Sequence, residues 1–174
     1  TAMRFLTAFL AVGEGTHIIT GTQRMQQRPI SILVNALRAL GADVEYAGNE
    51  GFPPLRIVGR KLVNSEVTLP GNVSSQYISA LLMIGPALTN GLKLTLTGEI
   101  VSRPYIDLTL KLMRDFGANV TWISENQLEV KPQPYQAVPY YVESDWSMKS
   151  AHYRNRQQSV CRDYSAKARK VTRK

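Results

Sequence analysis

The sequence is poor in the residues from which metal centres and disulfides are built. It has one cysteine, Cys161, and two histidines, His17 and His152. A single cysteine forms no internal disulfide, which fits a reducing compartment such as the cytoplasm. Two histidines so far apart offer no metal-ligand spacing, so zinc chemistry is not expected. No apolar run reaches the eighteen or so residues of a membrane span. No basic start and small-residue cleavage site bracket the first apolar stretch, so it does not read as a signal peptide. No Gly-rich loop of the Walker or Rossmann type is present, and no cofactor is implied.

Charge is also unevenly supplied. The net charge of +8 suggests a polyanion ligand, but the first 147 residues hold 12 Lys+Arg and 12 Asp+Glu. The excess lies beyond Met148, where 9 Lys+Arg face the single acid Asp163. Such a tail binds polyanions through counterion release and says little about the folded part. Tyr153 and Tyr164 alone interrupt its basic run with aromatics, so a nucleic-acid module is the weaker reading.

What is present is a repeat. Thr7-Ala8-Phe9-Leu10-Ala11-Val12-Gly13 matches Ser79-Ala80-Leu81-Leu82-Met83-Ile84-Gly85. Thr20-Gly21, Arg28-Pro29-Ile30 and Gly41-Ala42-Asp43-Val44 return in order as Thr97-Gly98, Arg103-Pro104-Tyr105 and Gly117-Ala118-Asn119-Val120. Each copy reads as an apolar helix (2–12 and 76–87) followed by a short strand (17–20 and 93–96). A second helix follows (30–40 and 105–116), then two strands (43–47 with 55–58, and 119–123 with 127–130). Pro29 and Pro104 suit a first helical turn, and Gly41 and Gly117 a left-handed helix end. The spacing predicts one buried stripe on each second helix, Ile32, Leu33, Ala36, Leu37 and Leu40 in one and Leu108, Thr109, Leu112, Met113 and Phe116 in the other. The first helices, apolar nearly all round, are expected at the centre. A Pro-rich stretch then leads to an expected strand over 140–142.

The polar residues worth weighing lie at helix starts. Ser74, Ser75 and Gln76 open the first helix of copy two, where hydroxyls and free backbone N–H groups together bind anions. A plain cap would need one serine, not two. Thr1 holds the matching place in copy one. Arg4, on an apolar helix, calls for a counter-charge, either an internal carboxylate or a ligand. Arg24 and Arg28 precede the second helix, and a guanidinium grips carboxylate or phosphate with two parallel hydrogen bonds. A solvated loop arginine is the commoner case, but Ser102-Arg103-Pro104-Tyr105 repeats the arrangement and adds the hydroxyls of Ser102 and Tyr105. No acid–base pair stands out. Asp107, for example, suits the first turn of its helix by charge alone.

In combination, Thr1-Ala2-Met3-Arg4, Gln23-Arg24-Met25-Gln26-Gln27-Arg28-Pro29-Ile30, Gly71-Asn72-Val73-Ser74-Ser75-Gln76 and Val101-Ser102-Arg103-Pro104-Tyr105-Ile106-Asp107 resemble the 5-enolpyruvylshikimate-3-phosphate synthase family, from Thr1 to about Ser147. The resemblance implies transfer of the enolpyruvyl group of phosphoenolpyruvate to shikimate 3-phosphate, with release of phosphate. It implies an α/β fold of repeated βαβαββ units, of which this chain holds about two of the three in one domain. The expected division is 1–142 as a partial shikimate 3-phosphate-binding domain, with repeats 1–70 and 71–142. Residues 143–147 start a further unit or hinge, and 148–174 form a basic, disordered tail foreign to the family, from a shifted reading frame or a foreign C-terminus.

By the same resemblance, Ser74, Ser75, Gln76, Ser102 and Tyr105 hold shikimate 3-phosphate. Arg28, Gln76 and Thr1 hold phosphoenolpyruvate, and Arg4 and Arg24 support the site. The groups that supply acid–base work in the family have no counterparts here, so the chain alone is expected to bind without turnover; full-length relatives are expected to be monomers. The related enolpyruvyl transferase that acts on a UDP-sugar is the nearest alternative, and the Ser74-Ser75-Gln76 triplet favours the shikimate branch.

Overall fold

A computed structural model describes residues 1–141. They divide into a compact unit, Thr1–Val138, and the first residues of a second that begins at Pro139. In the first unit, α1 (Ala2–Val12) leads to β1 (Gly15–Ile19), a short α2 (Gln23–Gln26), α3 (Ser31–Ala39), β2 (Asp43–Tyr46) and β3 (Leu55–Gly59). The order then recurs with one strand more and no counterpart of α2: β4 (Glu66–Pro70), α4 (Ser75–Ile84) ending in a 3-10 turn, β5 (Leu92–Thr97), α5 (Arg103–Asp115), β6 (Val120–Ser124) and β7 (Gln127–Val130).

The sheets repeat as the sequence does. One has the order β1-β3-β2 and is antiparallel; the other has the order β4-β5-β7-β6, with β4 parallel to β5 and the rest antiparallel. Thus β5, β7 and β6 stand as β1, β3 and β2 do. The turn after each second helix repeats to the atom. Gly41 N–H donates to the Arg38 carbonyl and Gly117 N–H to that of Arg114, both with positive φ at the glycine. Arg38 Nε donates to Val44 O at 2.8 Å, and Arg114 Nε to Val120 O at 2.9 Å. Glycine takes this left-handed conformation without the Cβ clash other residues meet, which explains why both turns carry one.

The helices form the inner layer. α4 is buried from Tyr77 to Leu82 and again at Ile84, packed between α1 and α5. Apolar transfer accounts for this place: each fully buried Leu or Ile contributes about 1.5–3 kcal/mol, and Ile78, Leu81 and Leu82 are completely enclosed.

Several expectations need correction. α4 is central, but α1 leaves Leu6 and Phe9 exposed, 49% and 64%, because its packing against α4 and β3 covers one side only. The stripe on α3 is buried as expected, apart from the half-buried Ile32. On α5 the buried residues are Ile106, Leu110 and Met113, while Leu108 is 54% exposed. Both stripes satisfy helical spacing, and contact with β6 and α4 selects between them. Pro104 lies in the first turn of α5, but Pro29 lies before Ile30, the N-cap of α3, and so outside the helix. The alternation Glu66-Val67-Thr68-Leu69 forms β4, which joins the second sheet, so the division in strand pairing falls before Glu66 and not after Pro70. Tyr140 and Tyr141 are not strand; Pro139 beside them lacks the N–H a ladder needs. Val142, the expected unit 143–147 and the tail 148–174 lie outside the described residues.

Candidate functional site

Parallel pairing of β4 and β5 determines where the polar helix starts lie. Pro70 stands opposite Thr97 at the ends of the two strands, so the loops entering α4 and α5 leave the same sheet edge. They are bonded to each other: Gly71 N–H donates to Thr97 O at 2.7 Å, and Val101 N–H to Gly71 O at 3.4 Å. The approach is close enough that a Cβ on Gly71 would come within 2.8 Å of the Glu99 carbonyl oxygen. Glycine is needed here for contact, and the loops can be drawn together only because nothing projects between them.

Four helices open with a hydroxyl residue at the N-cap: Thr22 for the short α2, and Thr1 for α1, Ser74 for α4 and Ser102 for α5. In none does the side chain cap the helix. This bears on the choice between a plain cap and a ligand group, because a capping serine spends its oxygen on its own backbone. Here the oxygens are unspent among the described residues, and the N–H groups that open α1 and α4 carry the positive end of the helix dipole; α5 offers fewer, because Pro104 has none. Ser74 and Tyr105 are exposed, and Ser75, Gln76 and Ser102 half-buried.

The candidate arginines differ in burial. Arg28 is exposed, and its side chain has no partner among the described residues. Its backbone is held, with Arg28 N–H bonded to Met25 O and Ile30 N–H to Gly51 O. Arg24, on α2, is exposed in the same way. Arg4 is buried, 7% exposed, and meets no carboxylate among the described residues. Its guanidinium lies over the Tyr77 ring, 5.0 Å from the centroid. Its Nη2 donates to the Tyr77 hydroxyl at 3.4 Å, and its Nε has no hydrogen-bond partner. Tyr77 in turn donates to Pro29 O at 2.8 Å.

Arg4 and Arg28 both lie close enough to Thr1 to act on it electrostatically. The start of α1 thus lies within the field of two guanidiniums. Thr1, Arg4 and Arg28 belong to one positive neighbourhood, and Tyr77 joins it to the α4 start that carries Ser74, Ser75 and Gln76.

Arg103 departs from the repeat. It stacks on Trp122, 4.3 Å from the ring centroid, and donates to Glu125 O. The Trp122 indole N–H donates to Asp107. The arginine matched to Arg28 by sequence is therefore bound into the fold, and its recurrence does not argue for a second anion grip. The groups missed by sequence are Gly71, Thr97 and Tyr77. Gly71 was signalled by a glycine directly after an alternating strand; Tyr77 was hidden in an apolar run, where its hydroxyl looked incidental. A groove of about 450 Å³ between α3 and Glu66–Pro70 contains none of the candidate residues.

Known proteins resemble the chain over most of its length. Residues 1–153 match the family described as EPSP synthase (3-phosphoshikimate 1-carboxyvinyltransferase). The match runs past Ser147 to Tyr153, so the boundary expected after Ser147 is set too early. The chain is 70% identical over 153 residues to a 3-phosphoshikimate 1-carboxyvinyltransferase of Bacteroides fragilis, covering 88% of this chain and 37% of that protein. A relative of the same name in Vibrio campbellii is 49% identical over 120 residues, 69% of this chain and 28% of the relative. The matched part therefore spans 28% to 37% of the length of these relatives. Among solved structures, EPSP synthase from Acinetobacter baumannii superposes with a TM-score of 0.66 at 24% identity, over 78% of this chain and 29% of that one. The enolpyruvyl transferase NikO from Streptomyces tendae gives 0.51 at 12%, over 75% and 29%, a likeness of fold alone. With repeated α/β units, helix-start hydroxyls on one edge and this match over most of its length, the chain belongs to the EPSP synthase (3-phosphoshikimate 1-carboxyvinyltransferase) family.

Proposed function

We propose that this chain forms the part of an enolpyruvyl transferase that grips its two anionic substrates. In this reading Ser74, Ser75, Gln76, Ser102 and Tyr105 hold shikimate 3-phosphate, and Arg28, Gln76 and Thr1 hold phosphoenolpyruvate. Arg4 and Arg24 contribute positive potential nearby. The observation that carries it is the set of uncapped hydroxyl starts on α1, α4 and α5, together with an Arg28 side chain unpaired among the described residues. Hydroxyls, helix-start N–H groups and a guanidinium are all donors, and donors at fixed positions suit phosphate and carboxylate oxygens.

The same set limits the chemistry. Enolpyruvyl transfer requires protons to be moved and developing charge to be stabilised, and the rim offers donors with no paired base. The chain is therefore proposed to bind and orient but not to turn over alone, since electrostatic stabilisation of the transition state is usually the largest catalytic contribution. An incomplete site should hold shikimate 3-phosphate with a Kd on the order of millimolar, about 4 kcal/mol.

Calorimetric titration with shikimate 3-phosphate and with phosphoenolpyruvate tests the reading. Ser74→Ala should weaken the first ligand and Arg28→Ala the second. Equal, unchanged heats in both variants would reject the assignment, and product formation by the purified chain would reject the claim that it lacks turnover.

A further inference from the structure

Among the described residues the buried Arg4 meets no carboxylate, and its partner is Tyr77. The cation lies 5.0 Å from the ring centroid, and its Nη2 donates to the phenolic oxygen at 3.4 Å. That hydroxyl donates onward to Pro29 O at 2.8 Å. An oxygen that accepts from a cation is polarised and becomes a stronger donor, so the two bonds reinforce each other in a low-dielectric interior. Tyr77 is 6% exposed and Arg4 7%, so both are fixed by packing. Pro29 is exposed and lies between α2 and α3, in a segment otherwise held by the backbone bonds at Arg28 and Ile30.

We infer that Tyr77 is a positioning residue: its hydroxyl, backed by Arg4, fixes the Pro29 carbonyl and so aims the adjacent Arg28. The inference rests on the reading of Arg28 as an anion-binding group. It adds that the aim comes from the first turn of α4, the turn that also carries Ser75 and Gln76. The two binding regions are thereby referred to one rigid element. Rings that serve only as filling need no hydroxyl, whereas this one connects three separate segments of chain through a single oxygen.

The test removes that oxygen. Amide hydrogen exchange at Arg28 and Ile30 and the affinity for phosphoenolpyruvate are measured in the full chain, in Tyr77→Phe and in Tyr77→Phe/Arg4→Met. In Tyr77→Phe, exchange at the two amides should rise about tenfold and phosphoenolpyruvate should bind about three- to tenfold more weakly, the scale of one lost hydrogen bond. The double variant removes the buried charge left without its hydroxyl, so thermal stability should recover while the Arg28 segment stays loose. Wild-type exchange in Tyr77→Phe, or protection regained together with stability in the double variant, would overturn the positioning role. Arg28→Ala is measured alongside: phosphoenolpyruvate affinity unchanged in that variant would reject Arg28 as the anion grip, and the exchange result would still decide the role of Tyr77.

Discussion

Replacing Gly71 by alanine should separate the two loops that carry Ser74 and Ser102. The added Cβ would lie 2.8 Å from the Glu99 carbonyl oxygen and 3.1 Å from its carbon, both backbone atoms with no rotamer to yield. Restoring ordinary contact at 3.4 Å requires the loops to part by about 0.6 Å. Overpacking of this kind costs about 1–3 kcal/mol. The parting also strains the bonds from Gly71 N–H to Thr97 and from Val101 N–H to Gly71, each contributing about 1 kcal/mol. A total of about 2–3 kcal/mol corresponds to a fall in melting temperature of roughly 5–10 °C for a chain of this size. Gly98→Ala is the control. Gly98 has φ +72, and a Cβ added there would meet nothing within 4 Å, so its penalty of about 1–2 kcal/mol is conformational and leaves the loop separation alone. Thermal melts and amide exchange at positions 71 and 101 distinguish the two. If Gly71→Ala costs no more than Gly98→Ala and both amides stay protected, the close approach does not hold the rim together.

Ser74→Ala and Ser102→Ala should each cost less than about 0.5 kcal/mol in urea denaturation, against about 1 kcal/mol for loss of a working N-cap, because neither side chain caps its helix; a full cap penalty would show that these oxygens serve the fold. Trp122→Phe keeps a ring for Arg103 to stack on but loses the indole bond to Asp107, so stability should fall by about 1 kcal/mol, and an unchanged midpoint would show that bond to be idle. Burial raises the Tyr135 hydroxyl to about 12 from its ordinary 10, where it donates to Met83 O. Its contribution is therefore complete below pH 10 and lost as pH rises toward 12, and melts at pH 9 and pH 11 should diverge more in wild type than in Tyr135→Phe.

The repeat was legible because both copies share one hydrogen-bonding solution after the second helix, and that solution requires glycine at Gly41 and Gly117. The helix-start serines stood out because a plain N-cap needs one hydroxyl and this segment has two. What sequence could not give was direction. The α5 stripe admitted two rotations, and only its neighbours choose Ile106, Leu110 and Met113. Arg28 and Arg103 occupy matched places in the repeat, yet Trp122 lies within reach of one alone. β4 is a short alternation of five residues whose identity as a strand depends on a partner, β5, more than twenty residues onward. The pairing of Arg4 with an aromatic ring, where a carboxylate or ligand was expected, arises because α1 and α4 bring their first turns together.

In the proposed binding role, that contact of first turns gives α4 the character of a caliper. Ser75, Gln76 and Tyr77 are consecutive residues on one turn, so a slide or tilt of this helix displaces both jaws by the same amount. Repacking deep in the core, at Leu81 or at Ser79 where it meets Thr109, would rescale the two affinities together, whereas a change at the rim alters one and spares the other. The ratio of the two binding constants, more than either value, reports whether a substitution has moved the helix or merely blunted one of its tips.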